Sequence, residues 1–267
     1  MSDIGSLTDK VCVLIGGGGG IGAATARAYV RAGASVLIAD INAELAETAA
    51  AQIRAEGGDV RTATVDALAE GEVDALMSSV VEREGRLDVV HNLTSTTVLA
   101  ASVDLPLSEF RKVFEITVLG QFAGAQAAAR QMIALGAGGS IINMSSIGGH
   151  GGLPRRASYT ASAAAIVNLT KTLAVEWAPY KIRVNAIAPA WILTDALRGY
   201  NESFPGVLDF DALQQRIPLG RFGEVDEIAA VGVFLASDAS SFVTGTTILA
   251  DGGVTAYIGP GGVPSAQ

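Results

Sequence analysis

The chain has 267 residues, a formal net charge of −9, 49 % hydrophobic residues and one cysteine. That length suits a single domain with an ample core, the apolar fraction excludes disorder, and a lone cysteine excludes an intramolecular disulfide scaffold and points to a reducing compartment. The acidic balance argues against nucleic acid or an anionic membrane surface as a partner. The polar, acidic start MSDIGSLTDK has neither the basic nor the apolar region of a secretory leader, and no run of about 18 apolar residues is free of charge and glycine. A cytoplasmic protein with no membrane span is the expectation.

Short β-rich runs alternate with longer alanine-rich runs of helical period. KVCVLI (10–15) reads as a strand and IGAATARAYVRAG (21–33) as a helix stopped by Gly33. Strand SVLIAD (35–40), a helix over 43–58, strand DVRTATVD (59–66), a helix over 71–85 and strand LDVVHN (87–92) follow. Next come one long helix over 108–135, strand SIINMSS (140–146), a helix around 158–178 ending before Pro179, and strand KIRVNAIAP (181–189). A helix over 223–237 and a last strand within TTILADGG (246–253) close the pattern. Strands alternating with helices predict right-handed βαβ units in a doubly wound α/β fold. Near-continuous apolar strands predict a parallel sheet covered on both faces. Residues 191–217 read as an irregular insertion and IGPGGVPSAQ (258–267) as a loose tail.

Residues 15–22, IGGGGGIG, fall between the first strand and the first helix. Glycine there permits positive φ, lets backbone N–H groups approach a pyrophosphate and aims a helix N-terminus at it. Asp40 ends the second strand, about 20 residues on, where a carboxylate accepts ribose hydroxyls and repels a 2′-phosphate. Ile41 follows it, not a basic residue. A dinucleotide site for NAD rather than NADP is predicted.

The spacing Gly16-x3-Gly20-Ile21-Gly22 resembles the short-chain dehydrogenase/reductase family, and the likeness runs from about residue 8 to 254. Its other carriers are Asp66, Asn92, Gly120 with Phe122, Ser146 thirteen residues before Tyr159, RVNAIAP (183–189), Thr194, PLGRFGE (218–224), ASDASSFVTG (236–245) and Asp251-Gly252-Gly253. The resemblance implies a single-domain Rossmann fold over 1–267 with a substrate-covering segment about 191–217. It implies a dinucleotide held by Gly16, Gly20, Ile21, Gly22, Asp40, Asp66 (at the adenine), Asn92, Tyr159, Pro189, Ile192 and Thr194. It also implies a small-molecule substrate, no metal, and a homotetramer with contacts from the long helix, the Tyr159 helix and the last strand. The small-residue run FAGAQAAARQMIAL (122–135) would suit packing across subunits, or against the chain's own sheet.

In the family a tyrosine transfers a proton while hydride moves to or from the nicotinamide, and a serine hydrogen-bonds the substrate oxygen. Tyr159 and Ser146 match those positions. A lysine four residues after the tyrosine normally binds the nicotinamide ribose and favours the phenolate; here the residue is Ala163. Thr117 takes the place of a helix asparagine that holds a relay water, and NLTS (92–95) replaces the usual two asparagines, alanine and glycine. A cation about 5 Å away at an effective dielectric near 20 is worth roughly 3 kcal/mol. Its loss is expected to slow alcohol oxidation, which needs a proton acceptor, more than ketone reduction, which needs a neutral phenol.

Arg155, Arg156 and the loop residue His150 lie near enough in sequence to supply a replacement charge. Lys171, three helical turns or about 18 Å on, does not. His91 reads as an interior or cofactor-edge histidine, and Cys12 as core. The stretch WILTDALRGYNESFPGVLDF (191–210) places Trp191, Leu193, Leu197, Tyr200, Phe204 and Leu208 in the covering segment. An apolar cover suits a hydrophobic or ring-containing substrate, unless these side chains pack on the body or another subunit. The leading expectation is an NAD(H)-dependent oxidoreductase interconverting a secondary alcohol and a ketone. The alternatives are a catalytically impaired NAD-binding relative with a binding or regulatory role, and non-redox chemistry on the same fold, which the intact glycine loop disfavours.

Overall fold

Side chains alternate along each strand, and both sides are apolar. In β1 (Val11–Ile15), Cys12 and Leu14 enter one core while Val11, Val13 and Ile15 enter another. In β2 (Ser35–Asp40), Val36 and Ile38 join the first core and Leu37 and Ala39 the second. A sheet with two apolar faces must be covered on both. The computed structural model describes residues 5–195, 197–199 and 209–257, and shows that arrangement. The first core receives α1 (Gly20–Arg31), α2 (Ala43–Ala55) and α8 (Val225–Ala236) through Tyr29, Ile53, Ile228 and Leu235. The second receives α3 (Glu72–Glu84), α5 (Gly120–Leu135) and α6 (Ala157–Trp177) through Met77, Met132 and Leu173.

The remaining strands of the main sheet are β3 (Val60–Thr64), β4 (Val89–Asn92), β5 (Gly139–Met144), β6 (Ile182–Pro189) and β9 (Thr247–Ala250). All seven pair in parallel in the order β3-β2-β1-β4-β5-β6-β9. The chain runs outward from β1 to β3, then crosses back and starts the other half at β4. The crevice at the C-terminal ends of β1 and β4 is the topological switch point, where ligands of such sheets bind. The doubly wound parallel fold is therefore as the sequence pattern predicts.

Three elements differ from that pattern. The long helix is α4 (Leu107–Phe114) and α5 joined through a π-helical turn, Glu115–Leu119, which contains Thr117. A π turn inserts one residue into the helical ladder. The expected strand over 140–146 stops at Met144, because Ser146 Oγ caps the following 3₁₀ turn by accepting from Gly148 N–H. The 191–217 stretch is not wholly irregular: β7 (Ile192–Leu193) pairs in parallel with β8 (Gly223–Glu224), and α7 covers Phe210–Gln214. Tyr200, Phe204, Leu208 and the tail 258–267 lie outside the described residues. No helix among the described residues is long and apolar enough to cross a membrane.

The run 122–135 serves the chain's own core: Ala125, Ala128, Ala129 and Met132 pack against the sheet. Cys12 is wholly buried, as expected of core. So is His91 on β4, whose ring lies 6.2 Å from that of Tyr29. Tyr29 Oη donates to the Gly232 carbonyl at 3.2 Å and sits 3.1 Å from His91 Nδ1, so the imidazole Nδ1–H is the donor of that second bond. Burial pushes the His91 imidazole down to about 3. The folded ring thus stays neutral at pH values where an unfolded one, near 6.5, takes up a proton. Stability is present above the unfolded value and is lost as pH falls below it. Between pH 6.5 and 5, denaturant titrations should show the unfolding free energy falling with a slope that approaches about 1.4 kcal/mol per pH unit. His91→Gln should remove that component; an unchanged slope would exclude His91 as its source.

Candidate active site

Beyond β1 the chain must turn sharply and let α1 start close to the sheet. Gly16 takes φ +75°, and its N–H donates to the Ala39 carbonyl at 2.7 Å. A Cβ on Gly16 would stand 2.9 Å from Thr94 N, and one on Gly22 would stand 2.6 Å from the Gly17 carbonyl oxygen. The loop is closed on those sides by backbone. A Cβ on Gly19 would meet nothing within 4 Å. Gly19 is also the N-cap of α1 and offers no side-chain acceptor to its first turn. Unsatisfied N–H groups of a helix's first turn, beside an open glycine face, form a cradle for a phosphate group. By that test the residues present fit a dinucleotide.

Asp40, at the end of β2, is fixed against this loop. Its Oδ2 accepts from Gly18 N–H at 2.9 Å and its Oδ1 from Asn42 N–H at 2.9 Å. Each oxygen keeps acceptor capacity for a further donor.

One cleft of about 400 Å³ collects Gly16, Gly20, Ile21, Gly22, Ser146, Tyr159, Pro189, Ile192 and Thr194. These include most of the residues expected from the sequence. Ser146 is 4 % exposed and uses Oγ as an acceptor toward Gly148 N–H at 3.1 Å, which leaves its own hydroxyl proton free to donate. Tyr159, in the first turn of α6, is half-buried beside it. The cleft is walled by Leu93, Leu153, Trp191 and Leu197. Trp191 and Leu197 thus face the cleft, whereas Leu193 belongs to the β7–β8 ladder. Among the described residues, no group of three or more His, Cys, Asp or Glu is placed to hold a metal ion.

A family model described as "Enoyl-(Acyl carrier protein) reductase" matches residues 16–255. An NAD-dependent glycerol dehydrogenase of Listeria innocua is 36 % identical over 94 % of this chain and 95 % of its own length. A short-chain type dehydrogenase/reductase of Mycobacterium marinum has a solved structure that superposes with a TM-score of 0.86 at 35 % identity, covering 96 % of this chain and 99 % of the other. A gluconate 5-dehydrogenase of Burkholderia cenocepacia J2315, solved with NADP and tartrate, gives a TM-score of 0.88 at 34 % identity over 96 % and 99 %. The chain belongs to the short-chain dehydrogenase/reductase family. It is an oxidoreductase of that family, and the departures noted in the sequence can be placed.

Ala163, at the family's lysine position, is 3 % exposed. Its carbonyl accepts from Ser145 Oγ at 3.0 Å, and a Cβ on Gly149 would stand 2.9 Å from that same oxygen. Here α6 is pressed onto the turn that carries Ser146. Of the three candidate replacement charges only Arg156 lines the cleft. Its Cζ lies 5.9 Å from the centre of the Tyr159 ring. Arg155 and His150 are exposed; the Arg155 carbonyl accepts from Ala100 N–H at 3.0 Å. Thr117 is buried, and its hydroxyl has no partner among the described residues.

Three expected cofactor residues, Asp40, Asp66 and Asn92, lie outside the cleft lining. Asn92 is wholly buried and donates from Nδ2 to Asn143 Oδ1 at 2.9 Å, so its side chain lies beneath the site. Asp66 turns inward on its own loop, where Oδ1 accepts from Leu68 N–H at 2.9 Å. Sequence reasoning missed Gln121, which is 1 % exposed. Its Nε2 donates to the carbonyls of Thr94 and Met144 at 3.1 and 2.8 Å, and its Oε1 accepts from Met144 N–H at 2.9 Å. This one amide ties the segment after β4 and the end of β5 to α5, two residues before Ser146. A lone amide within VLGQFAGA (118–125) was the available signal, since a buried amide needs partners.

The loop geometry separates packing from binding. Gly22→Ala forces a Cβ into the Gly17 backbone and should destabilise the fold by about 1–3 kcal/mol. Gly19→Ala adds its methyl in open space and should cost no more than about 1 kcal/mol. It should nevertheless weaken binding of a nicotinamide dinucleotide at least tenfold (roughly 1.4 kcal/mol). Thermal unfolding and calorimetric titration read the two effects apart.

Proposed function

We propose that this cleft interconverts a secondary alcohol and a ketone, and that it uses NAD(H) in preference to NADP(H). The observation that carries the reading is the meeting of the glycine loop, Ser146 and Tyr159 in one cleft. Gly16, Gly20, Ile21 and Gly22 would hold the pyrophosphate, Asp40 the adenosine ribose, and Pro189, Ile192 and Thr194 the nicotinamide end, with Asp66 near the adenine. The dinucleotide, when bound, supplies or accepts the hydride. Ser146 donates its free hydroxyl proton as a hydrogen bond to the substrate oxygen and holds it in place. Tyr159 gives that oxygen its proton in reduction, takes one from it in oxidation, and exchanges with water in the cleft between turnovers. The walls Leu153, Trp191 and Leu197 suit a hydrophobic or ring-containing frame.

The preference for NAD(H) rests on Asp40. Both carboxylate oxygens are pinned by backbone N–H groups, so the charge cannot swing away from a 2′-phosphate. Relatives carry both cofactor names: the Listeria innocua protein is NAD-dependent, and the Burkholderia cenocepacia structure holds NADP. Their substrates, glycerol and gluconate, also differ in charge. A cytoplasmic homotetramer completes the reading. Val175 on α6 is 78 % exposed and Leu249 on the edge strand β9 is 41 % exposed, apolar surface that a second copy would cover. Light scattering should give four copies; a 27.2 kDa particle at micromolar concentration would refute the assembly.

Calorimetry should find NADH bound at least about tenfold more tightly than NADPH; equal affinities would sink the Asp40 assignment. With NADH and a panel of ketones, Tyr159→Phe should lower kcat/KM by at least about 100-fold. Restoring the family lysine in Ala163→Lys should raise alcohol oxidation at neutral pH by about 10- to 100-fold, and more than it raises ketone reduction. NADH binding without turnover of any alcohol or ketone would favour the binding or regulatory role instead.

A further inference from the structure

We propose that Arg156 anchors a carboxylate on the substrate, so that the cleft takes hydroxy acids and oxo acids in preference to neutral alcohols and ketones. The inference rests on the reading of the cleft as a hydride-transfer site and names the class of molecule that enters it.

Arg156 is the one charged side chain among the described residues lining the cleft. It is half-buried and stands at the N-cap of α6, three residues before Tyr159. Its hydrogen-bonding capacity is largely unused. Nη1 donates to Thr97 Oγ1 at 3.2 Å, and no carboxylate among the described residues lies within ion-pair distance of it. Arg111, Arg155, Arg198 and Arg216 also lack an ion pair among the described residues but are exposed, and Arg183 is taken up by backbone carbonyls. Arg27, Arg31, Arg54, Arg61, Arg83, Arg86, Arg130 and Arg221 each sit against an Asp or Glu. A guanidinium presents five N–H donors in a planar fork that matches a carboxylate, so four remain here for an incoming group.

Desolvating a cation with no partner is unfavourable. Arg156, half-buried in the cleft lining with most of its donors vacant, is therefore poised for an anion. The Tyr159 ring holds the guanidinium in place, with Cζ 5.9 Å from the ring centre. An acid group on Arg156 then shares the substrate end of the cleft with a carbonyl carbon at Ser146 and Tyr159, separated from it by a short carbon frame. Leu153, Trp191 and Leu197 line the space for that frame. The glycine loop already provides the cradle for the dinucleotide phosphates, which leaves Arg156 to the substrate.

The test compares acids with their neutral esters. 3-Oxobutanoate and 4-oxocyclohexanecarboxylate, each beside its methyl ester, are reduced with NADH by wild type, Arg156→Leu and Arg156→Lys. Wild type should favour the acids by at least about tenfold in kcat/KM. Arg156→Leu should lower that acid-over-ester ratio by roughly 10- to 150-fold, mostly through KM, and Arg156→Lys should restore part of it. Affinity for NADH should not follow the same order. Equal losses on acids and esters, a loss confined to NADH affinity, or a wild type that prefers esters would each overturn the proposal. If NADH binds and no ketone is reduced, hydride transfer fails and the anchor is judged by binding alone. Cyclohexanecarboxylate should then bind the NADH complex at least about tenfold more tightly than cyclohexanecarboxamide, and Arg156→Leu should abolish the difference. No difference in wild type would overturn it.

Discussion

The site depends on one buried row of amides at the C-terminal edge of the sheet. Ile15, Asn92 and Asn143 are register partners across β1, β4 and β5. Asn92 donates to Asn143 Oδ1 at 2.9 Å, and Asn143 Nδ2 donates to Thr170 Oγ1 on α6 at 3.0 Å. Side chains in this row have no water to fall back on, so breaking any of these bonds leaves a polar group unsatisfied. The row fixes three things at once: where the glycine loop leaves β1, where β5 delivers Ser146, and how the helix bearing Tyr159 sits. The neighbours obey it. Gly124 carries no side chain because a Cβ there would overlap Asn92 Oδ1. Gln121, one turn earlier on the same helix, clamps Met144 through both its N–H and its carbonyl.

That scaffold positions a site whose electrostatics have been rearranged. The family's lysine position carries no charge: Ala163 stands there, buried, and its helix lies against Gly149. The positive charge of the cleft comes instead from the opposite side of Tyr159 in sequence, from Arg156 at the start of the same helix. A lysine at the family position touches the cofactor ribose, whereas a guanidinium over the ring lies at the substrate end. On the proposal above, the charge placed there serves as a handle for an anionic ligand. The Tyr159 and Ser146 hydroxyls remain, which are the groups that reduction of a carbonyl requires.

Much of this was legible in the sequence, for identifiable reasons. Two-sided apolar strands and the glycine punctuation at 15–22 dictated the sheet, the turn and the first helix, because each follows from local sterics and burial. Ser146 and Tyr159 were singled out by the family spacing, and the fold brings both to one cleft. The rest depends on contacts between distant segments. Asn92 looked like a cofactor residue, but its side chain is directed to Asn143, 51 positions away. Composition does not mark the π turn around Thr117, since apolar residues continue on both sides of it. Arg155, Arg156 and His150 could not be ranked without coordinates. The positive φ of Arg155, +64°, sends it outward and leaves Arg156 to enter the cleft.

Single-turnover transfer of deuterium from NADH carrying deuterium at both C4 positions tests the central claim most directly. Mass spectrometry of the products of a ketone panel should find the label on the carbinol carbon of an alcohol formed by wild type, and Tyr159→Phe should form far less of it under the same conditions. Saturating NADH that binds yet delivers no deuterium to any carbonyl carbon would contradict the account and leave the cleft as a binding site alone.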